Sequence, residues 1–255
     1  MSSVMEFRSL GENRILSALL PEHRERLRPS LQLVTLSFNE VIHEPGVRLN
    51  HVYFPLTSII AFVYSAQDGS SAVMGLAGND GLIGVDLFLG GEAAFHRAVV
   101  LVDGYAVTVS ADALRDEFVK GGPLQSLLLR YIRTLMIQIS QSAVCNRFHA
   151  LEKRLCRWLL FLHDRVGSGD LCMTQEALAT VVGARRETVS AAVRQLRDLG
   201  LILHTKGRIT ILERSNLEAR ACECYQVVET EVDRLLGAQG KQTGGSFPAQ
   251  HDVRL

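Results

Sequence analysis

Several features are missing from the 255 residues, and each absence excludes a class of protein. No apolar run approaches the roughly 18 residues that a membrane-spanning helix needs. Residues 1–10 lack a basic start followed by an apolar stretch, so no secretory signal is predicted. The motifs G-x-S-x-G and H-E-x-x-H and the P-loop are absent, so no catalytic residue is assigned. A cytoplasmic protein that is not an enzyme is expected.

The formal net charge of the chain is zero, and cysteine is scarce. Lys+Arg and Asp+Glu both number 27, which excludes a generally cationic nucleic-acid coat but leaves room for a local basic surface. The five cysteines begin only at Cys145, and their odd number argues against a disulfide framework. Cys222 and Cys224 are two residues apart, and such positions do not face each other on a helix. Reduced thiols are therefore expected, with no metal site and no cofactor.

The pattern of apolar residues and glycines changes along the chain, and this change predicts an α+β protein. Residues 12–29 have the periodicity of a helix, whereas residues 31–110 alternate short β-rich runs with glycines, as an antiparallel β-roll requires. The predicted units are a β-roll domain with an N-terminal helix (1–122), a dimerisation helix (123–148), a winged helix-turn-helix (149–217), a C-terminal helix (218–236) and a disordered tail (237–255).

The long helix carries an apolar stripe at alternating spacings of four and three, which is typical of a coiled-coil seam. The stripe consists of Leu128, Ile132, Leu135 and Ile139. It either packs on the β-roll of its own chain or joins two chains. We favour a homodimer, because Leu129 and Met136 provide a second apolar face for the chain's own domain.

Residues 173–211 have the pattern of a helix-turn-helix followed by a hairpin. Thr174 is a natural N-cap for a first helix, and Gly183 suits a tight turn after it. In the second helix Val189, Val193 and Leu196 share the inward face. The hairpin around residues 206–207 predicts a wing that flanks the helices.

The outward face of the second helix has the side chains that read base edges. Arg pairs with guanine O6 and N7, and Glu accepts from cytosine N4. We assign base reading to Arg186, Glu187 and Ser190. The residues assigned to the DNA backbone are Thr174, Gln175, Arg185, Thr188, Arg194, Lys206 and Arg208. Residues 171–214 hold seven basic and four acidic residues in a neutral chain, although a solvated basic face remains an alternative.

These segments resemble the Crp/Fnr family of transcription regulators. Gly183 and the run Arg-Arg-Glu-Thr-Val-Ser at 185–190 resemble the family's recognition helix, and residues 38–60 resemble the start of its cyclic-nucleotide-binding-type β-roll. The resemblance implies a homodimer whose β-roll receives a signal, and base contacts by Arg186 and Glu187. Ser190 matches a base-contacting Ser of oxygen-responsive members, whereas Ala191 replaces an Arg of cyclic AMP-responsive members.

The sensing part departs from the family's ligand patterns. Residues 83–87 lack the ribose-binding Glu, and Ala94 and Phe95 stand where the phosphate-binding Arg-Ser pair is expected. Only Arg97 is near enough in sequence to replace that cation, if the loop is shifted. No cysteine precedes Cys145, so the family's N-terminal iron-sulfur cluster is not expected. Haem ligation by His43, His51 or His96 is an alternative, but lone histidines in β-hairpins are usually structural.

The sequence therefore predicts a DNA-binding transcription regulator with an unidentified effector, which is not cyclic AMP. Its expected partners are double-stranded DNA, a second copy of the chain and RNA polymerase. An alternative is a small-molecule-binding regulatory module that acts through protein contacts, and salt-dependent binding to DNA separates the two.

Overall fold

The computed structural model describes residues 12–68, 71–166, 170–205 and 207–237. Two short helices open this part of the chain, α1 (Arg14–Ala18) and α2 (Pro21–Leu27). A single helix over 12–29 was expected, and this is wrong because Pro21 has no N–H to donate and the residue before it is extended. Asn13 caps α1, and its side-chain amide also donates to the carbonyls of Pro55 and Gly81.

Seven strands form an antiparallel β-roll, as predicted. They are β1 (Leu31–Leu36), β2 (Val41–His43), β3 (His51–Pro55), β4 (Ile59–Ser65), β5 (Ser71–Ala77), β6 (Arg97–Val102) and β7 (Gly104–Ser110). One sheet has the order β1-β7-β3 and the other β2-β6-β4-β5. In the second sheet Ile60, Phe62 and Val100 point into the roll, and their neighbours in sequence point out of it.

Helix α3 (Ala111–Val119) and the long helix α4 (Gly122–Phe148) follow the roll. Two polar contacts hold α4 on the roll. The Gln138 side-chain oxygen accepts from the Leu76 amide at 2.7 Å, and the Tyr131 hydroxyl donates to the Leu82 carbonyl at 2.9 Å.

The two apolar faces of α4 have exchanged the roles that the sequence assigned to them. Leu128, Ile132 and Leu135 are buried in the core of the β-roll, with Ile139 packed beside them. Leu129 and Met136, which were expected to face the chain's own domain, are 46% and 63% exposed. The predicted seam is therefore wrong as assigned, because both stripes have the same spacing and only packing distinguishes them. The interpretation that the stripe packs on its own β-roll is confirmed.

The C-terminal part contains six helices and strands in the order of a winged helix-turn-helix, after the connecting helix α5 (Leu151–Val166). These are β8 (Asp170–Cys172), α6 (Gln175–Val182), α7 (Arg186–Asp198), β9 (Ile202–Thr205), β10 (Arg208–Ile211) and α8 (Arg214–Arg220). The three strands pair in the order β8-β10-β9. A second core joins Trp158 and Phe161 of α5 to the outward face of β4 and β6, including Ala61 and Leu101. The DNA-binding half is thus packed directly on the β-roll.

The chain ends with α9 (Cys224–Gly237), and the expected single helix over 218–236 is wrong. Helix α8 stops at Arg220 because Ala221 is extended, with ψ at 161°. Cys222 therefore precedes α9, and its Sγ lies 3.5 Å from Cys145 Sγ on α4. Because the two C-terminal cysteines do not share a helix, the reason for regarding them as unrelated thiols is lost.

The predicted disordered tail falls beyond the described residues, except for Gly237. Within the described ranges, no helix combines the length and the hydropathy that crossing a membrane requires.

Candidate nucleic-acid interface

A capping hydroxyl, a left-handed glycine and an arginine fix the two ends of α6, and so the turn that joins it to α7. The Thr174 hydroxyl caps α6 by accepting from the Ala177 amide at 3.1 Å. Gly183 ends α6 at φ 67° and ψ 49°, a left-handed conformation that glycine adopts without steric cost. Arg154 of α5 donates to the carbonyls of Val182 and Gly183, so the last turn of α6 does not leave its acceptors unpaired.

Arg154 was not among the residues singled out from the sequence. Arg154 lies in the first turn of α5, and nothing in the neighbouring sequence marks it as functional. Its role depends on a contact with residues 28 and 29 positions further along the chain, which local patterns do not reveal.

Helix α7 divides into an inward and an outward face. Val189, Val193 and Leu196 are fully buried, as predicted, and they lock α7 onto the second core. Arg186 and Glu187 of its first turn are exposed. The helix therefore presents the charged side chains of its N-terminal half to solvent while its apolar face anchors it.

The structure brings five of the predicted DNA-contacting residues together around one open concave surface. The lining side chains are Gln175, Arg186, Glu187, Ser190 and Arg194. Gln175 comes from α6 and the others from α7, and the Ser190 hydroxyl donates to the Gln175 side-chain oxygen at 2.6 Å. This bond connects the start of one helix to the middle of the other, and it was not foreseen from the sequence.

The remaining predicted contacts surround this surface. Thr174, Arg185 and Thr188 are exposed. Arg208 lies on the wing strand β10, where its guanidinium is 3.0 Å from Asp170 Oδ2. Lys206 lies outside the described residues.

Asp170 organises the base of the wing. It accepts from the Thr210 hydroxyl at 2.5 Å and from Arg208, and these hydrogen bonds hold the pKa of its carboxyl below the usual range. The strand pairing of β10 with β8 and β9 gives the wing its orientation.

Arginines differ sharply in whether their charge is neutralised. Within the described part of the chain, Arg185, Arg186 and Arg194 make no ion pair. By contrast, Arg197 at the far end of α7 pairs with Asp198 at 2.8 Å. Arg214, counted among the basic residues of this segment, instead binds Asp164 at 2.5 Å and is structural. Arg185 and Arg186 thus place uncompensated positive charge at the N-terminal end of α7, and Arg194 adds a third such charge about two turns further along the helix.

Comparisons with known proteins agree with this geometry. Residues 153–220 match the Crp-like helix-turn-helix domain. Over 212 residues the chain is 23% identical to the global nitrogen regulator of Synechocystis sp., covering 80% of this chain and 94% of that protein. Over 186 residues it is 27% identical to the CRP-like cAMP-activated global transcriptional regulator of Mycobacterium tuberculosis, covering 70% and 81%. Residues 153–220 are thus a Crp-like helix-turn-helix domain, and most of the chain is similar to Crp-type transcription regulators.

Solved structures of similar fold confirm the architecture of the chain. FixK2 from Bradyrhizobium japonicum superposes with a TM-score of 0.66 at 16% identity, covering 75% of this chain and 98% of that chain. A CRP-family transcriptional regulator from Thermus thermophilus gives 0.60 at 20% identity, covering 74% and 96%. The α+β architecture predicted from the sequence is confirmed, and the protein is a DNA-binding transcription regulator.

The regulator has a cavity of about 200 Å³ between its β-roll and α4. Its lining is Phe62, Tyr64, Met74, Val85, Leu89, Phe95, His96, Ile132, Leu135, Met136 and Ile139. No arginine or lysine is among these residues. Phe95, at the position expected for a phosphate ligand, forms part of the apolar wall, and Arg97 lies 3.1 Å from Glu44 instead.

Two histidines beside the cavity are neutral at physiological pH. Burial lowers the pKa of His43 to about 4, and burial together with His43 lowers the pKa of His96 to about 4. Their rings pack edge to face at 5.4 Å between centroids, whereas His51 is exposed. The lining residues named above therefore carry no positive charge to pair with a phosphate.

Proposed function

We propose that this regulator binds its operator through Arg186, Glu187 and Ser190, which contact base edges in the major groove. The observation that carries the proposal is the exposed, unpaired Arg186 at the N-terminal end of a helix whose opposite face is fully buried. A guanidinium in that position is able to donate both of its hydrogen bonds to one guanine. Glu187 supplies the acceptor that a cytosine amino group requires.

The surrounding residues are proposed to position the helix on the phosphates. Thr174 and Gln175 lie at the start of α6, where the helix dipole and unpaired amides favour an anion. Arg185, Thr188 and Arg194 flank the base-reading residues along α7. Lys206 and Arg208 extend the contact through the wing, and all of these bonds set register without reading sequence.

A homodimer is proposed to form along the exposed stripe of α4. Leu129, Arg133, Met136, Ser140 and Ala143 repeat at spacings of four and three, and all are exposed. This is the same periodicity that sequence analysis assigned to the buried stripe, moved by one residue. A large exposed side chain such as Met136 gains apolar burial when a second copy packs against it. The proposed units end near residues 122 and 148, and the boundary expected after residue 217 moves to Ala221, where α8 ends.

The sensing cavity is proposed to receive a small, uncharged and mainly apolar effector rather than a cyclic nucleotide. The argument rests on the apolar lining and on the neutral state of His96. A cyclic phosphate buried there without a cation would cost several kcal/mol. Calorimetry with cyclic AMP and cyclic GMP is expected to show no binding, whereas the neutral dye Nile red is expected to fluoresce when added. A micromolar affinity for either nucleotide would contradict this assignment.

Binding-site selection with the full chain tests the DNA-binding proposal. The expected result is a palindromic consensus with a guanine in each half-site. Affinity for this consensus should fall steeply as salt rises, as phosphate contacts require. RNA polymerase is the proposed further partner, in the cytoplasm. Protein capture without enrichment of any DNA sequence would instead favour a regulatory module that acts through protein contacts.

A further inference from the structure

Three cysteines and one histidine meet where the C-terminal helix returns to the end of α4. Cys145 lies in the last turn of α4, and His149 is the first residue after that helix. Cys222 and Cys224 stand at the entry to α9. The four potential ligand atoms all lie within 4.8 Å of one another, and the three cysteines are buried.

Two of the distances between these atoms match the edges of a tetrahedron around one metal ion, and all of them are within 4.8 Å. Cys145 Sγ is 3.5 Å from Cys222 Sγ, and Cys224 Sγ is 3.6 Å from His149 Nδ1. Bonds of about 2.3 Å to sulfur and about 2.0 Å to nitrogen place the ligands of tetrahedral zinc roughly 3.5–3.8 Å apart. We propose that Cys145, His149, Cys222 and Cys224 bind a single structural zinc ion.

The outer contacts of His149 suit this role. Its Nε2 lies 3.2 Å from Glu223 Oε1, which holds the ring so that Nδ1 faces the sulfurs. A ligating histidine that donates its other N–H to a carboxylate is the usual arrangement at zinc sites, because it fixes the tautomer and raises the basicity of the ligand. Glu223 stands between two of the proposed ligands in sequence, so its placement follows from theirs.

A buried cation next to the cluster supports a negatively charged centre. Three thiolates, one neutral imidazole and Zn²⁺ carry one net negative charge. Arg157 is fully buried, donates to Ser142 one turn before Cys145, and acts electrostatically on the Cys145 sulfur. Its Nε and Nη1 have no hydrogen-bond partner within the described residues. The metal centre provides the countercharge that this guanidinium otherwise lacks.

Other chemistry fits the geometry less well. A Cys145–Cys222 disulfide requires a sulfur–sulfur distance of about 2.05 Å and leaves Cys224 and His149 unused. A [4Fe–4S] cluster attaches each ligand to a different iron and a [2Fe–2S] cluster divides the four ligands between two irons, so both separate the ligand atoms more than a single ion does. Soft thiolates with one imidazole in a closed, buried site select zinc over harder cations.

The site joins three segments of the fold. His149 is extended, with ψ at 138°, and separates α4 from α5, which leads to the DNA-binding helices. Zinc bound to Cys145 and His149 spans this junction, while Cys222 and Cys224 attach the C-terminal helix to it. We expect metal removal to lower the melting temperature and to weaken operator binding, because the direction of α5 relative to α4 is no longer fixed.

Cobalt substitution tests the proposal directly. The full chain is purified under reducing conditions, assayed for metal by mass spectrometry, stripped with a chelator and titrated with Co²⁺. We expect one zinc per chain as purified. Cobalt should give the visible ligand-field bands of a tetrahedral thiolate site at a stoichiometry of one, and Zn²⁺ should displace it.

Matched variants distinguish this site from adventitious binding. Cys145→Ser and Cys224→Ser should abolish the tetrahedral spectrum, whereas Cys172→Ser should leave it unchanged because Cys172 is exposed and outside the cluster. Glu223→Ala, at a side chain that is 72% exposed, should keep the fold and lower metal affinity about 10-fold. Circular dichroism verifies folding of each variant.

Several results would overturn the proposal. Octahedral or absent cobalt bands would exclude a thiolate-rich tetrahedral site. Iron with acid-labile sulfide in the purified protein would assign the residues to a cluster instead. A Cys145–Cys222 disulfide in protein that holds no metal would assign them to redox chemistry. Unchanged cobalt binding in folded Cys145→Ser would remove this cysteine from the ligand set.

Discussion

Arg165 of α5 and Asp80 of the β-roll form a buried ion pair, with 2.7 Å between Nη2 and Oδ2. The two side chains are 2% and 9% exposed. Gly78 makes the approach possible, because a Cβ at this position would lie 2.5 Å from the Arg165 Cβ. Glu229 of α9 also reaches Arg165, at 3.4 Å. This contact connects the DNA-binding half, the β-roll and the C-terminal helix.

Asp80→Asn is expected to lower the free energy of unfolding by about 3–5 kcal/mol, because it leaves the Arg165 charge buried without its closest partner. Glu229→Gln serves as the control, since Glu229 is further away and 21% exposed. Its expected cost is about 1 kcal/mol. Urea denaturation measures both. Equal losses in the two variants would show that Asp80 is not the main countercharge.

Arg186→Ala is expected to cost about 1–3 kcal/mol of operator affinity and to relax the preference for one guanine in each half-site. Arg197→Ala is the matched control on the same helix, because Arg197 is paired with Asp198 away from the concave surface. Fluorescence anisotropy and binding-site selection provide the two readouts. A consensus that survives the loss of Arg186 would place a different side chain on that guanine.

Arg208→Ala should weaken binding to all DNA sequences about equally and reduce the salt dependence by about one unit per subunit. The reason is its place on the wing, where a guanidinium is able to exchange Asp170 for a phosphate. Affinity measured over a range of salt concentrations gives the slope. A change of consensus with an unaltered slope would mean that Arg208 reads a base.

Met136→Glu combined with Leu129→Glu is expected to produce folded monomers with greatly weakened operator binding. Both side chains are exposed on α4, so their replacement costs little within one chain. Val119→Glu is the control, because Val119 is 73% exposed on a different helix. Sedimentation velocity gives the oligomeric state. A dimer that persists in the double variant would exclude this stripe.

Acidification should destabilise the fold between pH 6.5 and about pH 4. The pKa values of His43 and His96 are lowered to about 4 in the folded state, so the unfolded chain binds more protons in this window. At about pH 4 each histidine lowers the free energy of unfolding by on the order of 2–3 kcal/mol. The raised pKa of buried Asp86, 3.9 Å from His96, acts in the opposite direction.

His96→Phe isolates the histidine contribution, because phenylalanine has a similar shape and no proton to bind. Urea midpoints at pH 7 and pH 4.5 should differ less in this variant than in the wild type. The same loss in both proteins would assign the acid sensitivity to groups other than His96. The ion pairs of Glu117, whose pKa is lowered to about 2 from 4.5, lose their contribution only below about pH 4.5 and so lie outside this comparison.

The sequence by itself determined the helix-turn-helix. Its caps, turn and buried face depend on Thr174, Gly183 and Val189, which act on neighbours within one or two helical turns. Such local interactions leave a pattern that is readable in any context. Glycine-separated β-rich runs likewise predict the antiparallel roll, and the break between α1 and α2 is encoded locally by Pro21.

Tertiary structure alone decided which face of α4 is covered and where the cysteines meet. Leu135 and Met136 lie in stripes of identical period, so only packing against the roll separates the core residue from the exposed one. Cys145 and Cys222 are 77 positions apart, and no periodicity links them. Long-range contacts of this kind arise because burial depends on the whole fold, whereas helix spacing depends only on adjacent turns.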